Sequence, residues 1–256
     1  MSVRITDEGV VRTIAIVRPE RRGAVDPETA VALRDAFTAF DADADLRVAI
    51  LTGSNGHFCA GFDLTRVGDG TSRHDPEGPG PMGPTRLLLS KPVIAAIEGH
   101  AVAGGLELAL WCDLRVVSET AIFGVFCRRW GVPLIDGGTV RLPRIVGQGH
   151  ALDMILTGRP VDAREAMAIG LANRVVPTGD ALAAAQGLAR DIAAFPQTCL
   201  RADRLSAHAQ WDLPLDQALK AEGHGGMAPL QEEASRGAKR FAEGAGRGGA
   251  FGSEKE

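Results

Sequence analysis

Cysteine is scarce in this sequence, and its few positions are scattered. The 256 residues include four cysteines, at positions 59, 112, 127 and 199. No two of them form a CxxC pair, and no histidine lies near them at metal-ligand spacing. The pattern therefore favours neither a zinc site nor a disulfide framework, and we expect no bound metal and a reducing, cytoplasmic environment.

Long hydrophobic runs and an excess of basic charge are also missing. No apolar run reaches the roughly 20 residues that a membrane-spanning helix requires, so no membrane association is expected. The formal net charge of −4 provides no overall basic field to attract nucleic acid. Residues 1–20 carry charges throughout and have no apolar core, so we expect neither a signal peptide nor a transit sequence.

The two common nucleotide-binding glycine motifs are absent as well. Gly99 and Gly104 have the spacing of a P-loop, but Gly105 and Leu106 stand where that motif needs Lys and Ser or Thr. His100 and Ala101 after Gly99 rule out GxGxxG. Phosphate binding by either motif is therefore not expected.

Strand and helix patterns alternate along the chain, which is typical of an α/β protein. An alternating, β-branched run predicts a strand over 10–17, and Asp26 followed by Pro27 predicts a helix start. Continuous apolar runs ending in glycine predict strands covered on both faces over 47–53 and 92–99. Two further strands are expected over 113–120 and 121–126.

The later part of the chain is helical in pattern, and one long loop interrupts the first part. Residues 66–86 are dense in glycine and proline, which predicts a mobile lid or partial disorder. A helix is expected over 181–195, with helix-prone pieces over 198–210 and 229–243 and a frayed tail over 244–256.

The stretch "EGHAVAGGLELAL" (98–110) places glycines directly before an apolar helix that carries one acid, Glu107. A helix N-terminus with approachable N–H groups suits a carbonyl oxygen that acquires negative charge. Apolar surroundings would raise the pKa of Glu107 toward neutrality, as a general base or acid requires. The alternative is that Glu107 only complements the helix dipole and points to solvent. A second N–H donor is available in 56–64, where Ala60 and Gly61 also follow a strand.

The segments "FCAGFDL" (58–64) and "KPVIAAIEGHAVAGGLELALWCDLRVVSETAIFG" (91–124) together resemble the signature of the enoyl-CoA hydratase/isomerase (crotonase) family. The resemblance extends from about residue 14 to 241. It implies a crotonase-like ββα spiral core over 1–195, then a helical C-terminal region over 196–256 that supports assembly into a homotrimer or a hexamer. It also implies an acyl-CoA thioester substrate, with coenzyme A present only as part of that substrate and no separate cofactor.

The resemblance also assigns roles to individual residues. The backbone N–H groups of Phe62 and Gly104 match the pair that binds the thioester oxygen, and Glu107 matches the first catalytic glutamate. Phe241 matches a position that reaches the coenzyme A of a neighbouring subunit, although plain helix packing is an equal alternative. Contacts to adenine and pantetheine are expected around Ala24, Ala60, Phe62 and Leu64.

The sequence departs from the family pattern where the hydratases carry their second catalytic glutamate. Cys127 occupies that position and is expected to line the acyl pocket, as an inert thiol rather than a catalytic one. Asp136 could supply the missing acid, or it could merely cap the helix that follows. Arg128, Arg129 and Trp130 could recognise a polar acyl chain, face solvent or contact a neighbouring subunit.

These residues predict an acyl-CoA enzyme that forms a thioester enolate, with Glu107 as acid/base. Hydration of a 2-enoyl-CoA is expected, with double-bond isomerisation or another crotonase reaction as the alternative because one carboxylate is missing. A non-catalytic RNA-binding or scaffold member is a more remote alternative. For His100, packing with a hydrogen bond is favoured over catalysis.

Overall fold

The computed structural model describes residues 1–68 and 74–246, and they fall into two compact units. The core unit spans Met1–Ala193 and the C-terminal unit spans Ala194–Glu256. The cavity described below lies within the core unit.

A six-stranded sheet forms the centre of the core unit, in the order β1-β2-β3-β4-β6-β9. β1 and β2 are antiparallel, and every later neighbour in this sheet is parallel. A parallel sheet requires a crossover between successive strands, and this places helices against its faces. The strands are β1 (Val3–Glu8), β2 (Val11–Ile16), β3 (Val48–Thr52), β4 (Val93–Ile97), β6 (Leu114–Ser118) and β9 (Arg174–Val176).

Both faces of this sheet are covered, because alternate residues of its strands point in opposite directions. Ala49 and Leu51 of β3 pack on the side of the helix over Pro27–Ala42. Val48 and Ile50 pack on the opposite side, against the helix over Ala181–Ala194. All five residues of β3 and of β4 are buried, which confirms the predicted doubly covered strands. The helices of the core unit are α1 (Pro27–Ala42), α2 (Gly104–Trp111), α3 (Gly138–Val146), α4 (Gln148–Thr157), α5 (Ala163–Ala168) and α6 (Ala181–Ala194).

Helix α1 begins where the sequence predicts it. The Asp26 side chain accepts a hydrogen bond from the Thr29 N–H, and Pro27 occupies the first helical position. Leu33, Phe37 and Phe40 are fully buried on one face. Full burial of each such side chain contributes about 1.5–3 kcal/mol, so this face holds α1 against the sheet.

A smaller three-stranded sheet, in the order β5-β7-β8, carries the chain toward the cavity. Its strands are β5 (His100–Val102), β7 (Ile122–Gly124) and β8 (Val161–Asp162). A parallel bridge joins Cys59 to Ala101, so the segment that follows β3 runs beside β5. This pairing brings together the two glycine-containing segments that lie more than forty positions apart in the sequence.

The glycine- and proline-rich segment 66–86 is only partly the loose loop that its composition predicts. Residues 69–73 lie outside the described residues. Toward the other end, Met82 and Thr85 are fully buried, and a short 3₁₀ helix forms over Pro84–Arg86. The Arg86 guanidinium donates to the carbonyl oxygens of Asp75, Pro76 and Gly78. The second half of this segment is therefore packed and hydrogen-bonded rather than irregular throughout, and its role as a lid stays a prediction.

The C-terminal unit is helical, as its sequence predicts. Glu233 accepts hydrogen bonds from the Thr198 and Cys199 N–H groups at the start of its first helix. Its helices are α7 (Gln197–Ala209), α8 (Leu215–Gly225), α9 (Met227–Pro229) and α10 (Ser235–Ala242), with a π-helical turn over Leu230–Ala234. Most of the tail predicted to fray, residues 247–256, lies outside the described residues. The role of this unit in trimerisation stays a prediction.

No helix in the described part of the chain is long and apolar enough to cross a membrane.

Candidate active site

The N-terminus of α2 is packed tightly against the segment that follows β3. A Cβ on Gly105 would lie 2.1 Å from the Cys59 carbonyl oxygen, so only glycine fits there. Ala103, directly before the helix, has φ 54° and ψ −124°. A non-glycine residue at positive φ costs of order 1–3 kcal/mol and persists only where the surroundings fix it. The direction of the following peptide, which carries the Gly104 N–H, is set by this strained residue.

A second backbone segment faces this helix start. Gly61 has φ 102°, and a Cβ there would lie 2.9 Å from the Ala103 Cβ and 3.1 Å from the Gly104 nitrogen. The neighbouring Phe62 forms a parallel bridge with Val25. Neither the Phe62 N–H nor the Gly104 N–H donates a hydrogen bond to any described residue. Two backbone N–H groups without an acceptor among the described residues therefore lie on adjoining segments, and their role in binding a thioester oxygen stays a prediction.

Both of these residues line a cavity of about 610 Å³ in the core unit. A cavity of this size falls within the range of small-molecule sites. It also contains the two buried carboxyl groups Glu107 and Asp136, and both are only 3% exposed. The described walls are otherwise mostly apolar, with Met82, Phe126, Val132 and Ile135 among them.

Glu107 lies in the first turn of α2, where all eight helical residues are buried. Its Oε1 accepts hydrogen bonds from the Asp136 N–H at 2.9 Å and the Gly138 N–H at 2.8 Å. Its Oε2 accepts none from the described residues. Burial, reinforced by the charge of Asp136, raises the pKa of Glu107 to about 7. The alternative that this acid only complements the helix dipole from solvent is wrong.

Asp136 is held by the segment that precedes β4. Its Oδ1 accepts hydrogen bonds from the Met82 N–H at 3.0 Å and the Thr85 hydroxyl at 2.5 Å. Helix α3 is capped by Gly137, and the Asp136 side chain caps no helix, so the capping alternative is wrong. Burial raises the pKa of the Asp136 carboxyl above its ordinary value.

Cys127 lines the cavity close to Glu107 and is 7% exposed. Burial, followed by the nearby charge of Glu107, raises the pKa of its thiol. The thiol is therefore protonated near neutral pH, in line with the expected inert group.

The basic pair that follows does not line the cavity. Arg128 donates to the Ile155 carbonyl, and Arg129 donates to the Gly158 carbonyl at the end of α4. Both side chains are thus used to tie this segment to α4. Trp130 alone of the three borders the cavity, and it is 69% exposed there.

His100 is packed as predicted and also borders the cavity. Its Nδ1 lies 3.3 Å from Nδ1 of His57, so one ring donates to the other. Burial, with His100 and Arg22 nearby, lowers the pKa of His57. His57, which shows no signal in the sequence, is therefore a partner of a residue that lines the cavity.

The residues predicted to contact coenzyme A are placed at different positions. Ala60 and Leu64 line the cavity, whereas Ala24 does not, and its carbonyl oxygen accepts a hydrogen bond from Arg18 at 2.6 Å. Phe241 lies in α10 of the C-terminal unit and is 66% exposed. Their contacts with coenzyme A stay predictions.

Several residues of the site carry no signal that a reading of motifs could use. Met82 and Thr85 lie in a segment whose composition indicates only a loop, yet they hold Asp136. Gly138 and Arg141 lie within "DGGTVRLPRIVG", which marks the family but not the contact of either residue with the site. Over residues 1–68 and 74–246, no group of three or more His, Cys, Asp or Glu side chains could hold a metal ion.

Comparisons with known proteins agree over most of the chain. The family model described as enoyl-CoA hydratase/isomerase matches residues 6–246. Enoyl-CoA hydratase EchA19 of Mycobacterium tuberculosis is 37% identical over 241 residues, which cover 90% of this chain and 89% of that protein. A carnitinyl-CoA dehydratase of Salmonella arizonae is 40% identical over 194 residues, which cover 75% of this chain and 74% of that protein. The crystal structure of enoyl-CoA hydratase EchA1 from Mycobacterium marinum superposes with a TM-score of 0.89 at 34% identity, covering 94% of this chain and 96% of the other.

Proposed function

Because the chain belongs to the enoyl-CoA hydratase/isomerase family, we propose that it adds water across the double bond of a 2-enoyl-CoA thioester. The observation that carries this proposal is the buried carboxyl of Glu107. One of its oxygens is fixed by two N–H groups, and the other accepts no hydrogen bond from the described residues. The same cavity is lined by Phe62 and Gly104, whose N–H groups have no acceptor among those residues. Two of the similar proteins are named as a hydratase and a dehydratase, and these names describe the addition and the removal of water.

In this proposal the thioester carbonyl oxygen accepts hydrogen bonds from the Phe62 and Gly104 N–H groups. These donors stabilise the negative charge that reaches this oxygen when a nucleophile bonds to Cβ. The loss of one such donor typically costs about 2.7–4 kcal/mol of transition-state stabilisation. The apolar cavity wall strengthens the effect because it keeps bulk water away from the charge.

Proton transfer then requires a base and an acid. The Glu107 carboxylate takes a proton from water while the water oxygen bonds to Cβ and the π electrons move onto the thioester oxygen. The Glu107 carboxyl formed in this way gives the proton to Cα as the carbonyl re-forms, while the Asp136 carboxylate orients the water. Glu107 is then a carboxylate again, so both groups end as they began. The pKa of Glu107, raised to about 7 by burial and by the charge of Asp136, supports this role, since the group can change its charge near neutral pH.

Double-bond isomerisation is the second candidate, and Cys127 is the observation that favours it. A protonated thiol at this position cannot act as the second carboxylate of a hydratase. Moving a proton between Cα and Cγ needs only one carboxyl group, which Glu107 can supply.

The two candidates are separated by their products. The protein would be incubated with crotonyl-CoA and, separately, with 3-butenoyl-CoA in ¹⁸O-labelled water, with Glu107→Gln as the control. Hydration removes the ultraviolet absorbance of the conjugated thioester and places ¹⁸O in a 3-hydroxyacyl product. Isomerisation of 3-butenoyl-CoA creates that absorbance without ¹⁸O. A wild type inactive toward every acyl-CoA tested would refute both and favour a scaffold or RNA-binding role.

We propose that the protein assembles as a homotrimer or a hexamer through its C-terminal unit. Large apolar side chains of that unit are exposed in the isolated chain, among them Trp211, Leu215, Leu219 and Leu230. Exposed apolar area of this kind commonly marks an interface. Light scattering after size exclusion tests this, and a monomer at micromolar concentration would refute it. A cytoplasmic location stays a prediction.

A further inference from the structure

Arg141 occupies an unusual place for a cation, in the first turn of α3. The N-terminal end of a helix carries partial positive charge, so an arginine there is disfavoured by about 0.3–1 kcal/mol. Its guanidinium is half-buried rather than extended into water. An independent reason must therefore hold it in this position, and its hydrogen bonds provide one.

The guanidinium joins the two segments that surround the carboxyl pair. Nη1 donates to the Asp136 carbonyl oxygen at 3.0 Å, and Nη2 donates to the Thr85 carbonyl oxygen at 2.6 Å. The first contact holds the turn whose N–H groups bind Glu107 Oε1. The second holds the residue whose hydroxyl donates to Asp136 Oδ1. One side chain thus connects the supports of both acids.

The turn is shaped to admit this side chain. Gly137 has φ 95°, and a Cβ there would lie 2.1 Å from Arg141 Nη1. Gly138 is restricted as well, because its Cβ would lie 2.9 Å from Glu107 Oε1. The two glycines leave room for the guanidinium on one side of the turn and for the carboxylate on the other.

Charge at the site leads to the same residue. Asp136 and Arg141 are the charged side chains named as acting on the pKa of Glu107, and Glu107 in turn acts on the pKa of Cys127. Arg22, His74 and His100 line the same cavity. Arg141 itself is acted on by Glu107, Asp136, Cys112 and Arg144, while Arg86 and His74 act on Asp136. The Arg141 charge opposes the effect of burial on Glu107.

We propose that Arg141 is a positioning residue for the reaction, which fixes the 136–138 turn so that Glu107 Oε2 faces the substrate. Its positive charge also favours the ionised form of Glu107. The inference rests on the proposed function of Glu107 as the base. Arg141 touches no reacting atom in this scheme, and it acts through the turn and through its charge.

Three variants test the proposal: Arg141→Gln, Arg141→Lys and, as a matched change of charge on the same helix, Arg144→Gln. Loss of the cation should move the ascending limb of the kcat/KM profile to higher pH by about 0.5–1 unit. Loss of the two guanidinium hydrogen bonds, to the Asp136 and Thr85 carbonyl oxygens, should lower kcat at the pH optimum by about tenfold or more. Arg141→Lys should return the ascending limb to its wild-type pH, because it keeps the positive charge. It should not recover the full kcat, because an ammonium group cannot make both hydrogen bonds of the guanidinium. Arg144→Gln should leave both unchanged.

A purely structural role would lower activity and melting temperature without moving the limb, and this result, or an unchanged Arg141→Gln enzyme, would overturn the proposal. If Arg141→Gln does not fold, Arg141→Lys still tests the proposal, because it should lower kcat without moving the ascending limb of the pH profile. The pKa of Glu107 can also be followed without substrate, from the pH dependence of unfolding with and without Glu107→Gln in each background. Suppose that the pKa of Glu107 differs between the wild-type and Arg141→Gln backgrounds, but the wild type turns over no acyl-CoA. The effect of Arg141 on Glu107 would then stand, and the proposed function would be refuted.

Discussion

Replacement of Glu107 by glutamine should make the protein more stable above pH 7 while it removes catalysis. The glutamine carbonyl oxygen can still accept the hydrogen bonds of the Asp136 and Gly138 N–H groups that Oε1 now accepts. The variant has no charge to bury. The gain in stability and the loss of catalysis both follow from the burial of this carboxyl group.

The size of the stability effect follows from the pKa. Burial and the charge of Asp136 raise the pKa of Glu107 from the ordinary 4.5 to about 7. At 1.36 kcal/mol per pH unit, the folded state loses about 3 kcal/mol when this group ionises. The unfolded chain releases the proton near pH 4.5 and the folded protein near pH 7, so the contribution is fully present below 4.5, declines between these values and is absent above 7. Glutamine does not undergo this decline.

The measurement is urea unfolding from pH 5 to pH 9 at fixed protein concentration, with the wild type and Glu107→Gln compared at each pH. The difference should grow in favour of the variant as pH rises to 7 and then stay constant. Turnover of the variant should fall by about 10²–10⁴-fold. Glu165→Gln serves as the control, because the Arg159 hydrogen bonds lower the pKa of Glu165. The same substitution there should not raise stability, and activity should be unchanged.

A Glu107→Gln variant with the same pH dependence of stability as the wild type would show that this carboxyl does not titrate near neutrality. Retained turnover would remove it from the chemistry. Either result would refute the reasoning, and the two results are independent of each other.

Four further substitutions, one of them a control, test the surroundings of this acid and the start of its helix. Asp136→Asn keeps an acceptor for the Met82 N–H but removes the charge beside Glu107, so kcat should fall by about 10²-fold and the ascending limb of the pH profile should move to lower pH; full activity would return Asp136 to a purely structural role. Gly105→Ala should lower the free energy of unfolding by about 1–3 kcal/mol, because its Cβ would lie 2.1 Å from a backbone oxygen. Gly149→Ala, at a helical position with no atom within 4 Å, should not destabilise the protein, and equal melting temperatures of the two variants would contradict the packing argument. Cys127→Ser should leave kcat within about threefold of the wild type, since the raised pKa of Cys127 leaves no thiolate to act; a larger loss in steady-state assays would assign the thiol a catalytic role.

Features with local signals could be predicted from the sequence. The start of α1 follows from Asp26 and Pro27, and the buried strands β3 and β4 follow from continuous apolar runs. The crotonase-like α/β spiral followed from the motif resemblance, and the Mycobacterium marinum structure confirms it with a TM-score of 0.89. The burial of Glu107 could also be anticipated, because the residues around it in α2 are apolar.

Features that depend on distant contacts could not be predicted. Met82 and Thr85 lie 54 and 51 positions from Asp136, the residue that they hold, and the local composition around them indicates only a loop. The strand β1 was missed because five of its six residues are exposed at the edge of the sheet, without the apolar run that marked the inner strands. Helix α8 was missed as well, and no residue in it is buried.

Ala103 has a consequence for how the amide of Gly104 behaves between turnovers. An alanine at φ 54° has few neighbouring conformations to visit, so the peptide plane that follows it cannot swing freely. The conformational free energy needed to orient the Gly104 N–H is therefore spent when the chain folds, and ligand binding does not require it again. Ala103→Gly would remove the backbone strain and so stabilise the protein. It would also let the Gly104 peptide plane move, so the carbonyl-binding position would be less rigid.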